Sequence, residues 1–194
     1  MSARHVKIIA APSCAGKSYH ARRAQQGKAP DLLAAADWSA PRNWRIIDHI
    51  DIYAAGLPAA AATVILYTLR TIPHFDNQCS EYSDPRFSAI MPELPPGDIT
   101  TLVLTGRQLC RNIRRKRLNL GLRILRPRNL LLLRQRLARL RKLEAIYADP
   151  ANVDRLYADW FDFIARIPDR ESRVVLMADT GERQGNSHRT MGTL

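Results

Sequence analysis

The sequence predicts an α/β domain with a mostly parallel central sheet. Two observations carry that expectation. Short β-branched, apolar runs alternate with stretches of helical character from one end of the chain to the other, which is the pattern of successive βαβ units. The 194 residues are 46% hydrophobic and 25% charged, a globular composition with enough chain for one core of ordinary size.

The elements follow in order. Residues 5–10 (HVKIIA) are β-branched and apolar and run into a Ser- and Gly-containing turn, so they predict a buried first strand. Residues 18–26 predict a helix with Gly27 as its stop signal. Residues 28–43 are rich in Ala and Pro and leave room for one short helix at 31–36. Residues 44–48 (WRIID) predict the second strand, residues 54–62 a helix with Pro58 near its start, and residues 63–68 (TVILYT) the third strand. Pro85, Pro92, Pro95 and Pro96 fall within 74–97, which predicts a long loop. Residues 99–104 (ITTLVL) predict the fourth strand, and 108–117 a basic helix after the Thr105-Gly106 turn. Residues 119–128 are Arg-rich and interrupted by Gly121 and Pro127. Asn129 predicts the cap of a long helix, and Asn152 that of another, which Pro168 ends. Residues 173–178 predict the last strand. Residues 1–179 thus form one expected domain, and the polar residues 180–194 a flexible tail.

The three cysteines, Cys14, Cys79 and Cys110, make neither a disulfide framework nor a zinc pattern. No apolar run approaches the ~18 residues of a membrane span, and residues 1–7 hold no apolar leader. The expectation is a reduced, cytoplasmic protein without membrane partners. The net charge of +12 is concentrated: residues 107–142 hold 14 of the 30 Lys and Arg, and no acidic residue lies between Asp98 and Glu144. Such a block calls for an anionic partner, whether nucleotide, acidic substrate or nucleic acid.

The strongest motif is Ala11-Pro12-Ser13-Cys14-Ala15-Gly16-Lys17-Ser18, which matches the Walker A pattern G-x-x-x-x-G-K-[ST] except for Ala at its first position. The chemistry needs this order. Residues 12–18 wrap the β-phosphate with the loop's backbone N–H groups, to which Pro12 contributes none, and the helix N-terminus adds its dipole. Gly16 lets the backbone approach closely, Lys17 reaches the β- and γ-phosphates, and Ser18 places a hydroxyl on Mg²⁺. Alanine at position 11 is harmless at negative φ and unfavourable at positive φ.

On these residues the chain resembles the P-loop small-molecule kinases. The loop after HVKIIA looks like that of the nucleoside and nucleotide kinases. Residues 94–107 (LPPGDITTLVLTGR) with 111–117 (RNIRRKR) are similar to the thymidylate-kinase-like entry into a LID. The resemblance implies a three-layer P-loop sandwich with an Arg-rich helical LID at about 118–130, ATP or GTP with Mg²⁺ as cofactors, and phosphoryl transfer to a nucleoside or nucleotide. It also implies Arg111 and Arg115 against the base. In shikimate- and gluconate-kinase-like proteins, a paired carboxylate after the second strand holds Mg²⁺ or accepts the substrate proton. Asp48 and Asp51 stand there, with Asp48 expected on the metal and Asp51 on the substrate. Arg123, Arg126 and Arg128 would close over the transferring phosphoryl group, whose developing charge they would stabilise. His74 and Asp76 are further candidates to face the site. The usual Walker B Asp is missing, since residues 63–68 run into Leu69-Arg70.

Two other readings stay open. One is an NTPase, viral or mobile-element in type, that touches nucleic acid through residues 107–142. Residues 99–146 contain no Phe, Trp or Tyr, which disfavours base stacking on single strands. The other is a degenerate P-loop domain serving in assembly.

Overall fold

A computed structural model describes residues 5–26, 45–56, 62–69, 85–91, 94, 98–121, 130–167 and 171–177. The strands are β1 (His5–Ala11), β2 (Arg45–Asp48), β3 (Ala62–Thr68), β4 (Ile99–Val103) and β5 (Ser172–Leu176). The helices are α1 (Lys17–Gln25), α2 (His49–Ala55), α3 (Pro85–Ile90), α4 (Gly106–Gly121), α5 (Leu130–Ala148) and α6 (Pro150–Ala165). All strand pairs are parallel, in the order β2-β3-β1-β4-β5. The central strands are near-continuous apolar runs because both of their faces are covered: Ile8, Ile9, Val64, Ile65 and Leu102 are fully buried.

The register sets what each face carries. Ala10 pairs with Tyr67 on one side and Thr101 on the other, so these three side chains share a face. Helix α6 covers it. Trp160 stacks on Tyr67 at 5.1 Å and donates its indole N–H to the Thr101 hydroxyl at 2.9 Å. Tyr157 donates its hydroxyl to the Leu102 carbonyl and accepts from Leu104 N–H, both at 3.0 Å. Phe87 of α3 completes the cluster, 4.1 Å from the Tyr67 ring. Burial of rings with their polar tips satisfied makes this the firmest part of the core.

The chain order explains where a ligand can enter. From β1 the chain runs out to the edge strand β2, back to β3, then across β1 to β4 and on to β5. The first connection runs one way along the sheet and the other three run the opposite way. Right-handed crossovers therefore put α1 on one face and the later helices on the other, as a three-layer sandwich requires. The connections leaving β1 and its neighbours diverge, which opens a crevice at the carboxyl end of β1, where doubly wound sheets take ligands.

Several expected boundaries are corrected. Helix α2 follows β2 immediately, where no helix was expected, and Ala62, expected in a helix, already belongs to β3; residues 57–61 of the helix expected at 54–62 lie outside the described residues. Asp48 is the reason: its Oδ1 accepts the Ile50 N–H at 3.2 Å and caps the helix there. The expected loop at 74–97 contains α3, pinned by fully buried Phe87. The last helix is capped by Asp149 with Pro150 in its first turn, not by Asn152. Helix α4 runs to Gly121 and α5 begins at Leu130, so the ends of the expected LID at 118–130 are helical. Helices α4 and α5 pack closely: a Cβ at Gly106 would collide with the Tyr147 carbonyl. The short helix expected at 31–36, the cap expected at Asn129 and the tail lie outside the described residues.

Candidate phosphate-binding site

The loop between β1 and α1 sits at the mouth of that crevice. Ala11 is the last residue of β1, paired with Thr68, and is fully buried. The positive φ angles nearby belong to Cys14 at 67° and Gly16 at 86°, so Ala11 occupies a backbone any residue tolerates. Cys14 and Gly16, on either side of Ala15, both take a left-handed φ, which coils the chain tightly ahead of α1, and the Ala15 N–H turns back to the Pro12 carbonyl at 3.3 Å. A left-handed backbone at a non-glycine residue costs on the order of 1 kcal/mol or more and persists where its surroundings impose it. Here Asn112 of α4 donates its side-chain N–H to the Cys14 carbonyl at 3.2 Å. Gly16 is required by its φ, which is unfavourable for other residues; a Cβ there would meet the His20 ring only at an ordinary contact distance, 3.4 Å.

Lys17 opens α1 and is only 8% exposed. Its Nζ donates to the carbonyls of Ala11 at 3.0 Å and Pro12 at 3.2 Å. Each carbonyl holds a second donor, Leu69 N–H on Ala11 at 3.0 Å and Ala15 N–H on Pro12 at 3.3 Å. Burial lowers the Lys17 ammonium to about 8. The Asp48 carboxylate and the Cys14 sulfur oppose that shift, and Lys116 of α4 adds to it. The first turn of α1 carries no acidic residue, so nothing there neutralises the positive end of the helix.

Ser18 is exposed beside Lys17, and with Asp48 it lines a cavity of about 390 Å³ completed by Arg22, Ile46, Ile47 and Leu66. Residues 12–17 do not line it; the cavity lies beside the loop, between α1 and the β2 side of the sheet. Asp48 stands at the carboxyl end of β2, in register with Leu66 of β3. Its Oδ1 lies 2.8 Å from His49 Nδ1, which also lies 3.3 Å from the Leu66 carbonyl. Both partners are acceptors, so a proton on Nδ1 serves them and His49 fixes the attitude of the carboxylate. Asp51 is exposed in the first turn of α2 and is not among the cavity-lining residues. Beside β1, the strand β3 ends in Thr68, so the position of a Walker B carboxylate carries a hydroxyl.

A nucleotide with Mg²⁺ fits these residues on two observations. Gly16 holds a positive φ that disfavours any side chain and so leaves bare backbone in the loop, and Lys17 holds a desolvated ammonium on backbone carbonyls. Ser18 and Asp48 offer hard oxygen donors of the kind Mg²⁺ takes in ones and twos, keeping several waters. Among the described residues, no group of three or more His, Cys, Asp or Glu gathers to hold a metal ion.

Of the other expected residues, Arg111 is half-buried and Arg115 exposed on α4. Arg123, Arg126, Arg128, His74 and Asp76 lie outside the described residues. The sequence reading missed Asn112, Lys116, His49 and Arg22. Asn112 and Lys116 are four residues apart on α4 and therefore share a face, which becomes visible only once Asn112 is seen touching the loop. No family model, no curated protein and no solved structure matches this chain. Among the described residues, no helix is long and apolar enough to cross a membrane.

Proposed function

We propose that this chain binds a nucleoside triphosphate, ATP or GTP, with Mg²⁺ at residues 12–18 and transfers its terminal phosphoryl group to a small acceptor of the nucleoside or nucleotide class. The observation that carries the reading is the loop itself: a tight strand-to-helix turn with left-handed backbone at Cys14 and Gly16, closed by a buried Lys17 at the N-terminus of α1. Its position at the topological switch of a parallel sheet supports it. In this reading Lys17 neutralises charge on the β- and γ-phosphates, Ser18 and Asp48 hold Mg²⁺, and the cavity beside them receives the acceptor. Asp48 or Asp51 takes the acceptor proton as its oxygen bonds to phosphorus and the bond to the leaving diphosphate breaks. Arg111 and Arg115 of α4 lie against the base, and Arg123, Arg126 and Arg128, which lie outside the described residues, remain the expected partners of the phosphates.

Calorimetric titration with ATP and Mg²⁺ tests the first half: saturable binding lost in Lys17→Ala is the expected outcome. A screen of nucleosides, nucleotides and sugars with labelled ATP tests the second. Binding with no phosphorylated product would remove the kinase reading and leave a second one, a nucleotide-binding module without transfer. Two observations favour that alternative: Asp48 Oδ1 is engaged by Ile50 and His49, and Thr68 ends β3.

A further inference from the structure

The Arg-rich hairpin of α4 and α5 holds two kinds of cation. On α4, Arg114 and Arg117 both bond to Glu144 of α5 and clamp the helices together. Glu144 is the only acidic residue on either helix. On α5, Arg134, Arg136, Arg139, Arg141 and Lys142 are all exposed and have no acidic partner among the described residues. Helical phase separates Arg134, Arg141 and Lys142 from the core, whereas Arg136, four residues before Leu140, shares the phase of the buried side chains. Leu140, Leu143 and Tyr147 are buried, which turns Arg134, Arg141 and Lys142 outward, with Ala138 and Ala145 between them.

We infer that this outward face of α5 is a docking surface for double-stranded nucleic acid, gripped through its phosphate backbone. Charge is the first argument: cations without acidic neighbours repel one another until an extended polyanion releases its counterions to them. Shape is the second. The nineteen residues of α5 span about 28 Å, and the small alanines let a backbone come close. Chemistry is the third. Residues 99–146 contain no Phe, Trp or Tyr, so the hairpin offers no platform for unpaired bases. Between residues 134 and 145 the outward stripe (Arg134, Gln135, Ala138, Arg141, Lys142, Ala145) also holds no large apolar side chain, unlike the apolar face of a membrane-surface helix. The inference is independent of the phosphate-loop reading.

Fluorescence anisotropy of labelled duplex and single strands of roughly 20 nucleotides, from about 25 to about 300 mM KCl, tests it. The expected result is duplex binding at low salt, stronger than to the single strand, with log K falling about fourfold-steep in log salt, as about four phosphate contacts require. The triple variant Arg134→Gln, Arg141→Gln, Lys142→Gln should weaken it by about tenfold or more and flatten the slope by about three. A control of equal charge change elsewhere, Arg45→Gln, Arg155→Gln, Arg166→Gln, should leave it within about twofold. Binding of a fluorescent ATP analogue by the α5 triple variant reports that the fold is intact, and circular dichroism does so if the chain binds no nucleotide. No binding at low salt, equal loss in both triple variants, preference for the single strand, or binding only to vesicles of anionic lipid would each overturn the inference.

Discussion

Lys17 and Arg141 carry the same charge in opposite settings. Lys17 is buried, held by two carbonyls and lowered to about 8 by desolvation. Arg141 stands in water on a helix with other cations around it. A desolvated cation acts strongly at one point, because no water screens it. Solvated cations act weakly and together, because each is screened within about a Debye length of ~8–10 Å. In the proposed readings the buried cation serves one phosphate group and the solvated ones serve many, and the two regions are joined by α4, which touches the loop at Cys14 and α5 at Glu144.

The comparison breaks most visibly at Lys17. Lys17→Ala should weaken nucleotide binding by on the order of 100-fold, as loss of a charge-assisted contact of about 3 kcal/mol implies. Calorimetry reads this, and an unchanged affinity would mean that the buried ammonium serves the fold alone. Proton linkage gives the pH course. The folded value lies below the unfolded 10.5, so burying the charged amine destabilises the fold in full below pH about 8. That penalty is relieved as pH rises from about 8 towards the unfolded value. Nucleotide affinity should run the other way, falling as pH rises through about 8 and the ammonium is lost.

Gly16→Val should follow, weakening nucleotide binding by roughly tenfold and lowering stability by about 1–2 kcal/mol, because a side chain is strained at this φ. Denaturant unfolding and calorimetry together separate the two losses. Asn112→Ala is smaller. It removes the brace on the Cys14 carbonyl, and about 1 kcal/mol, or roughly fivefold in affinity, is the scale of one such bond. The smallest effect belongs to Glu144→Gln, with a melting temperature lower by about 2–3 °C at neutral pH. The hydrogen bond from Arg114, and then Arg117, holds the Glu144 carboxyl below its usual range. Its stabilisation is therefore present above the unfolded carboxylate value and lost as pH falls through the folded one. The difference between Glu144→Gln and the parent should shrink in acid, and a constant difference would place the effect in packing.

The two regions were not equally legible in the sequence. The five strands and the loop were, because a buried parallel strand is a run of β-branched residues and the loop is contiguous: Ile8 through Ser18 can be read in one line. The α2 region was not. Asp48 and Asp51 read as a catalytic pair, yet the same three-residue spacing is what a helix N-terminus uses, with Asp48 capping and Asp51 in the first turn. Chemistry and capping want the same residues at the same spacing, so the expected carboxylate pair hid the start of α2. Asn112 was silent for another reason: among so many arginines nothing marked its phase relative to Cys14. The prolines around Phe87 likewise hid a short helix that a single buried ring holds in place.

The resting partners of Lys17 bear on how readily a ligand can recruit it. A side chain drawn off to a phosphate normally leaves orphaned acceptors behind, and a buried carbonyl without a donor costs roughly 1–3 kcal/mol. Here neither carbonyl is orphaned. Ala11 keeps the Leu69 N–H and Pro12 keeps the Ala15 N–H when the ammonium leaves. Lys17 is parked on acceptors that do not depend on it, so its swing to an arriving anion exchanges one set of oxygens for another without unstitching the end of β1.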